Sequence, residues 1–204
     1  MTIGQQPSAS IRLENVAVIR GNRMVFGGFS LSADAGDIVW IRGANGSGKS
    51  TLLRLAGSLL TAASGTVDIK GSIALADENS ALDVNRRLED ALAFWGSLDG
   101  TSGARCDAAM AAMDLVALAE VPVRYLSTGQ KRRAGLARLM ATGATIWLLD
   151  EPYNGLDSAN AARLDAALLA HARSGGIALV AAHASPTINV AQSVKLDSAS
   201  RAAA

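Results

Sequence analysis

The chain of 204 residues is long enough to bury a substantial core within one domain. Half of its residues are hydrophobic but only 4% are aromatic, a mix suited to helices packed on a sheet and unlike a disordered chain. With 19 basic and 18 acidic residues the formal charge is +1, which excludes a general electrostatic pull toward nucleic acid or anionic lipid.

Met1 to Ser10 is polar and lacks the basic start and apolar stretch of a signal peptide. Ile11 to Ile19 alternates loosely through Ile11, Leu13, Val16 and Val18 and predicts a strand. Arg20-Gly21-Asn22-Arg23 reads as a turn and Met24 to Ser32 as a second strand. After the turn Ala35-Gly36-Asp37, Ile38-Val39-Trp40-Ile41 is a continuous apolar run of the buried-strand type. A glycine-rich loop follows. Ser50 to Leu60 then carries a helical stripe of Leu52, Leu53, Leu55, Ala56 and Leu59, with Gly65 as its expected stop. Thr66 to Ile69 and Ser72 to Leu75 predict short strands.

From Val84 to Ala119 the pattern is helical, broken by a loop from Gly96 to Gly103. The one cysteine, Cys106, falls here and excludes an internal disulfide. Lys131 to Ala141 predicts a helix, Thr145 to Leu149 a buried strand, Ala159 to Ser174 a helix and Ile177 to Ala182 a buried strand. The tail from Ala191 is small and polar, and Arg201 to Ala204 is expected to fray. No run approaches the roughly 20 apolar residues that span a bilayer. The expectation is a soluble, cytoplasmic protein that another polypeptide attaches if it works at a membrane. The order of elements predicts an α/β fold over residues 1–204 as one domain, with a largely parallel central sheet, right-handed connections and a helical part at residues 80–140.

Gly43-Ala44-Asn45-Gly46-Ser47-Gly48-Lys49-Ser50 lies between a predicted buried strand and a predicted helix. That context turns a glycine-rich pattern into a phosphate loop. Glycines let the backbone N–H groups turn inward, forming an anion nest at the positive end of the next helix, where Thr51 follows. Lys49 is expected to reach the β- and γ-phosphates of ATP, and the Ser50 hydroxyl to ligate Mg²⁺.

Thr145 to Leu149 ends in two carboxylates, Asp150 and Glu151. A strand beside the phosphate-loop strand would bring Asp150 to the Mg²⁺ shell and Glu151 to the γ-phosphate, where it can polarise the attacking water. About twenty residues upstream stands Leu126-Ser127-Thr128-Gly129-Gln130-Lys131-Arg132-Arg133. Its Ser127 or Thr128 can cap the following helix, and one helical turn of basic residues reads as a solvated face.

With these motifs the chain resembles the ATP-binding cassette (ABC) family, whose signature reads Leu-Ser-Gly-Gly-Gln. Thr128 stands here at its third position. Asn154-Gly155-Leu156-Asp157 resembles the family's D-loop, and His183 matches its switch histidine. The resemblance implies a P-loop NTPase fold with an N-terminal antiparallel β part and a small helical subdomain. It implies Glu151 and His183 as catalytic residues, with Ser127, Thr128, Gly129 and Gln130 facing the ATP of the opposite subunit. Asp157 would cross the interface of a head-to-tail homodimer holding two ATPs.

Two further positions depart from the family pattern. Arg20 stands where an aromatic residue stacks on adenine, and a guanidinium can also lie flat against the base. Glu78 stands at the glutamine of the Q-loop, where it still offers an acceptor to metal or water but adds negative charge. The run Val18-Ile19-Arg20-Gly21-Asn22-Arg23-x-x-Phe26-x-Gly28-Phe29-Ser30, the threonine in the signature and the small size resemble the ATP-binding subunits of haem exporters used in cytochrome c maturation. That likeness implies a peripheral subunit on the cytoplasmic face of a bacterial inner membrane, paired with integral membrane subunits and not with nucleic acid. Another small ABC exporter and a soluble, non-transport ABC ATPase are the alternatives.

Overall fold

The computed structural model describes residues 8–79 and 81–196. The expected fraying at Arg201 to Ala204 lies outside the described residues. Strands β1 (Ser10–Arg20), β2 (Arg23–Asp34) and β4 (Ser64–Lys70) form an antiparallel sheet in the order β2-β1-β4. Strands β3 (Ile38–Arg42), β5 (Ile73–Ala76), β6 (Ile146–Asp150), β7 (Ile177–Ala181) and β8 (Gln192–Lys195) form a parallel sheet in the order β5-β6-β7-β3-β8. Helices α1 (Lys49–Ala56), α2 (Leu88–Leu98), α3 (Gly103–Ala112), α4 (Thr128–Ala141) and α5 (Ser158–Arg173) complete the α/β fold.

The central strands are apolar throughout because both faces of their sheet are covered. Side chains alternate along a strand, so β3 sends Val39 and Ile41 to one core and Ile38 and Trp40 to another. β6 divides likewise, with Ile146 and Leu148 against Trp147 and Leu149. The first core also takes Ile11, Leu13 and Phe26 of the antiparallel sheet and Leu52, Leu53 and Leu55 of α1. The second takes Leu88 and Leu92 of α2, Met110 of α3, Leu136 of α4 and Leu164 of α5.

Two expectations from sequence need correction. The first helix stops at Ala56, with Gly57 as its C-cap and Ser58 left-handed at φ 56°, so Gly65 lies within β4 instead of ending the helix. Leu59 continues the apolar spacing but is 63% exposed. The small, polar tail, for which no strand is predicted, contributes β8 at a sheet edge, where alternate half-buried residues suffice.

One packing contact gives the fold an acid dependence. His171 stacks on Trp147 with ring centroids 3.8 Å apart, and its Nε2 donates to the Ile177 carbonyl at 3.2 Å. Burial pushes its pKa down, opposed by the backbone carbonyls of Ile177 and Thr145. The unfolded chain therefore takes a proton at about pH 6.5 that the folded chain resists. This contribution is fully present above about pH 6.5 and is lost as the pH falls below that value. Thermal unfolding of His171→Phe against pH is expected to show a shallower fall on the acid side than wild type. Identical acid profiles would contradict this origin.

Candidate functional site

The carboxyl ends of four neighbouring parallel strands meet at one edge, the place where open α/β sheets bind ligands. β5 leads to Asp77 and Glu78, β6 to Asp150 and Glu151, β7 to His183, and β3 to the glycine-rich loop. The register aligns them, with Ala76 beside Leu149, Asp150 beside Ala181, and Ile41 beside Ala181.

The loop enters α1 at Gly48, whose φ of 103° is left-handed. A Cβ there would lie 2.8 Å from Val25 Cγ1, so glycine is required both by conformation and by space. The helix begins without a side-chain cap and without an acidic residue in its first turn. Among the described residues, no acceptor takes the backbone N–H groups of Gly46, Gly48, Lys49, Ser50 or Thr51. Ser47 Oγ is buried there without a hydrogen-bond partner. Free donors at the positive end of a helix can cradle a phosphate.

Lys49 is 6% exposed. Its Nζ donates to the Gly43 carbonyl at 2.9 Å and lies 3.5 Å from the Ala44 carbonyl. The same nitrogen stands 3.4 Å from Glu151 Oε1 and 3.3 Å from His183 Nε2. His183 Nε2 is 3.2 Å from Glu151 Oε1 and bonds to Asn45 Oδ1. This nitrogen thus faces an acceptor, Asn45 Oδ1, and a group that can only donate, the Lys49 ammonium. Neither Lys49 nor His183 meets Glu151 Oε1 at hydrogen-bonding angles, so this buried oxygen keeps its acceptor capacity. Three residues read from three separate motifs are thus gathered at one point.

Two open clefts, of about 710 and 310 Å³, adjoin this point and share Ser50, Arg54, Asp150 and Glu151 as walls. The larger also contains Glu78, and the smaller is bounded by Arg20, Val25 and the loop. No three His, Cys, Asp or Glu side chains among the described residues form a metal cage. The Ser50 hydroxyl with the carboxylates of Asp150 and Glu78 is instead a partial oxygen set. It fits Mg²⁺, which takes one or two carboxylates and completes its shell with phosphate oxygens and water. Arg54 was not singled out in the sequence; its spacing of four from Ser50, on one helix face, was the available signal.

Ser127 is the N-cap of α4 and forms a capping box with Gln130. The Ser127 N–H donates to Gln130 Oε1 at 2.7 Å, and the Gln130 N–H to Ser127 Oγ at 3.3 Å. Both side chains are therefore engaged within their own helix. The N–H groups of Thr128 and Gly129 find no acceptor among the described residues. Thr128 borders the larger cleft, where a side chain has room. A Cβ on Gly129 would lie 3.2 Å from the Gly155 carbonyl, so the fourth position of the signature is the constrained one. Asp157 caps α5, its Oδ1 accepting the Asn160 N–H at 2.8 Å. Tyr153 donates to Asp165 Oδ1 at 2.5 Å and Thr187 to Oδ2 at 2.6 Å, tying the D-loop segment to the chain after His183. Burial, then the bond to Asp165, drives the Tyr153 pKa well up, so its hydroxyl stays a donor.

The basic run is not a solvated face. Lys131 Nζ donates to the Arg124 carbonyl at 3.3 Å, and Arg133 Nη1 to the carbonyls of Met113 and Asp114, both at 2.7 Å. Arg132 points inward to the carbonyls of Asp77, Asp150 and Glu151. Burial pulls its pKa down, opposed by the charges of Asp150, Asp77, Glu78 and Glu151.

Known proteins are similar to this chain in sequence and in fold. The family described as ABC transporter matches residues 26–154. The "Cytochrome c biogenesis ATP-binding export protein CcmA" of Sphingopyxis alaskensis is 52% identical over 173 residues, covering 85% of this chain and 89% of the relative. The protein of the same name from Zymomonas mobilis is 48% identical over 176 residues, covering 86% and 79%. A Pyrococcus furiosus protein described as an ABC transporter ATP-binding protein superposes with a TM-score of 0.83 at 22% identity, covering 93% of this chain and all of that one. A bacterial Atm1-family ABC exporter with ATP bound superposes with a TM-score of 0.81 at 24% identity, over 95% of this chain and 38% of that one. The last two likenesses carry the fold alone. The family match and the identity to the relatives carry more: the chain belongs to the ABC transporter family.

Proposed function

We propose that the chain is the ATP-hydrolysing subunit of a bacterial inner-membrane ABC transporter complex, the one that exports or releases haem for c-type cytochrome biogenesis. The observation that supports hydrolysis is the meeting of Lys49, Glu151 and His183 within 3.4 Å beside a set of free backbone donors. The cytochrome role rests on the 52% identity to a protein named for cytochrome c biogenesis.

The loop N–H groups and Lys49 bind the triphosphate, and Lys49 neutralises charge on the transferred group. Ser50 and Asp150, with Glu78, would hold Mg²⁺, which would supply positive charge to neutralise the phosphates. Glu151 orients and deprotonates the attacking water. His183 donates from Nε2 toward the γ-phosphate once that group displaces the Asn45 and Glu151 oxygens from it. The open N–H groups of Thr128 and Gly129 serve the ATP of a second chain in a head-to-tail dimer. The chain docks on integral membrane subunits from the cytoplasmic side. Within the described residues, no helix is long and apolar enough to cross a membrane.

Arg20 stacks on the adenine. A cation–π contact of this type contributes about 0.5–2 kcal/mol, so Arg20→Ala is expected to weaken ATP binding by roughly 2- to 30-fold while sparing kcat. Calorimetric titration with ATP would measure it, and an unchanged Kd would place the base elsewhere.

The haem assignment is tested by deleting the gene and staining membranes for covalent haem. Loss of all c-type cytochromes, restored by the wild-type chain but not by Lys49→Ala, is the expected result. Normal c-type cytochromes in the deletion strain would refute the assignment.

A further inference from the structure

Arg132 makes contacts that its place in a charged run does not suggest. It lies one turn past the free N–H groups of the signature and reaches two other segments at once. Nη1 donates to the Asp77 carbonyl at 2.7 Å. Nη2 donates to the Asp150 carbonyl at 2.8 Å and also to the carbonyl of Glu151. All of these bonds go to backbone, although four carboxylates lie close enough to act on the guanidinium. Its Nε is buried and unpartnered, so the two terminal nitrogens alone set its position.

What Arg132 grips is the frame of the catalytic carboxylate. Glu151 has φ 48°, a left-handed conformation that a non-glycine residue keeps only when its surroundings hold it. Its N–H is held by the Ala181 carbonyl at 2.8 Å, and its own carbonyl takes the Asn154 N–H at 3.2 Å as well as Arg132. Of these partners only Arg132 belongs to the signature helix. The Asp77 carbonyl, at the other tip of the fork, precedes Glu78 directly. One rigid guanidinium thus joins α4 to the residues proposed as base and as metal-side acceptor.

We infer that Arg132 is a positioning residue that couples the two ATP sites of the dimer. The inference rests on the head-to-tail reading above. In that arrangement the N-terminus of α4 serves the ATP bound by the facing chain, whereas Glu151 serves the ATP of its own chain. When nucleotide draws α4 into place, Arg132 moves with it and carries Asp77, Asp150 and Glu151 into register. Filling one site therefore readies the carboxylate of the other, which makes hydrolysis cooperative in ATP. A lysine keeps the charge but lacks the planar fork that spans separate carbonyls.

The test is steady-state ATP hydrolysis across ATP concentration by the assembled transporter, wild type against Arg132→Lys, with ATP affinity and thermal unfolding measured on the same preparations. Wild type is expected to show a Hill coefficient above 1. Arg132→Lys should lower kcat by about tenfold to a hundredfold, the penalty of misplacing a catalytic group by about an ångström. Its Hill coefficient should fall to 1, with ATP affinity and unfolding temperature unchanged. Wild-type kcat and cooperativity in the variant would overturn the inference while leaving the ATPase reading intact. So would a non-cooperative wild type, or a variant that loses ATP affinity and unfolding temperature together, since Arg132 would then be scaffold only. A wild-type complex without any hydrolysis would refute the ATPase reading itself.

Discussion

Glu151→Gln is expected to bind ATP at least as tightly as wild type while turning over about 10²- to 10⁴-fold more slowly, the range for removing a general base. The geometry allows this separation. Glutamine has the shape of glutamate, and the backbone at Glu151 is held independently of the side chain by the Ala181 carbonyl and Arg132. The side chain is 22% exposed and stands 3.4 Å from Lys49 and 3.2 Å from His183, so the variant removes one negative charge from the mouth of the phosphate loop. Less repulsion toward the triphosphate and no base for the water are consequences of the same substitution. Phosphate release under saturating ATP, beside a direct binding titration, separates the two. Turnover within a few-fold of wild type would remove Glu151 from the chemistry.

Lys49→Ala should act on binding and turnover together. The ammonium is nearly buried, held by the Gly43 carbonyl, and belongs to the same loop end as the free N–H groups of Ser50 and Thr51. A charged hydrogen bond contributes about 1.5–3 kcal/mol, or roughly 10- to 150-fold in ATP affinity. Loss of a preorganised charge at the transferring group costs about 10²- to 10³-fold more in rate. A fall in kcat/KM of about 10³-fold or more is therefore expected from these terms together. The substitution also removes the ammonium beside Glu151 Oε1 and leaves His183 there. Near-normal kcat/KM would contradict the phosphate-loop assignment.

Much of this site is legible in the chain because its parts are local. The phosphate loop, the acidic strand end and the histidine each sit at the carboxyl end of an apolar run, and parallel strands bring such ends to one edge. What escaped the sequence depends on distant backbone. Arg132 is bound to carbonyls 55, 18 and 19 residues away, and the apolar period of α4 cannot tell it from Lys131. Asn45, a variable position of the loop pattern, turns its side chain to His183, 138 residues on. The early end of α1 was readable in principle, since Gly57 is the residue type favoured at a helix stop. The apolar Leu59 and Leu60 extended the pattern beyond it. β8 carries too few buried residues to mark itself; its pairing with β3 supplies the order that its composition does not.

The threonine in the signature follows the same logic of place. Thr128 borders an open cleft, and Gly129 is packed on the Gly155 carbonyl. The position that departs from the family pattern is therefore the one with space. The N–H groups proposed to meet a second nucleotide remain without an acceptor among the described residues at the helix start.

The phosphate loop is half of a site in this account, and the mass of Glu151→Gln in saturating ATP tests that claim most directly. Light scattering with nucleotide quantitation should find two chains and two ATPs per particle, and single chains when ATP is withdrawn. One chain carrying one ATP, in the presence of the membrane subunits as well as in their absence, would contradict it.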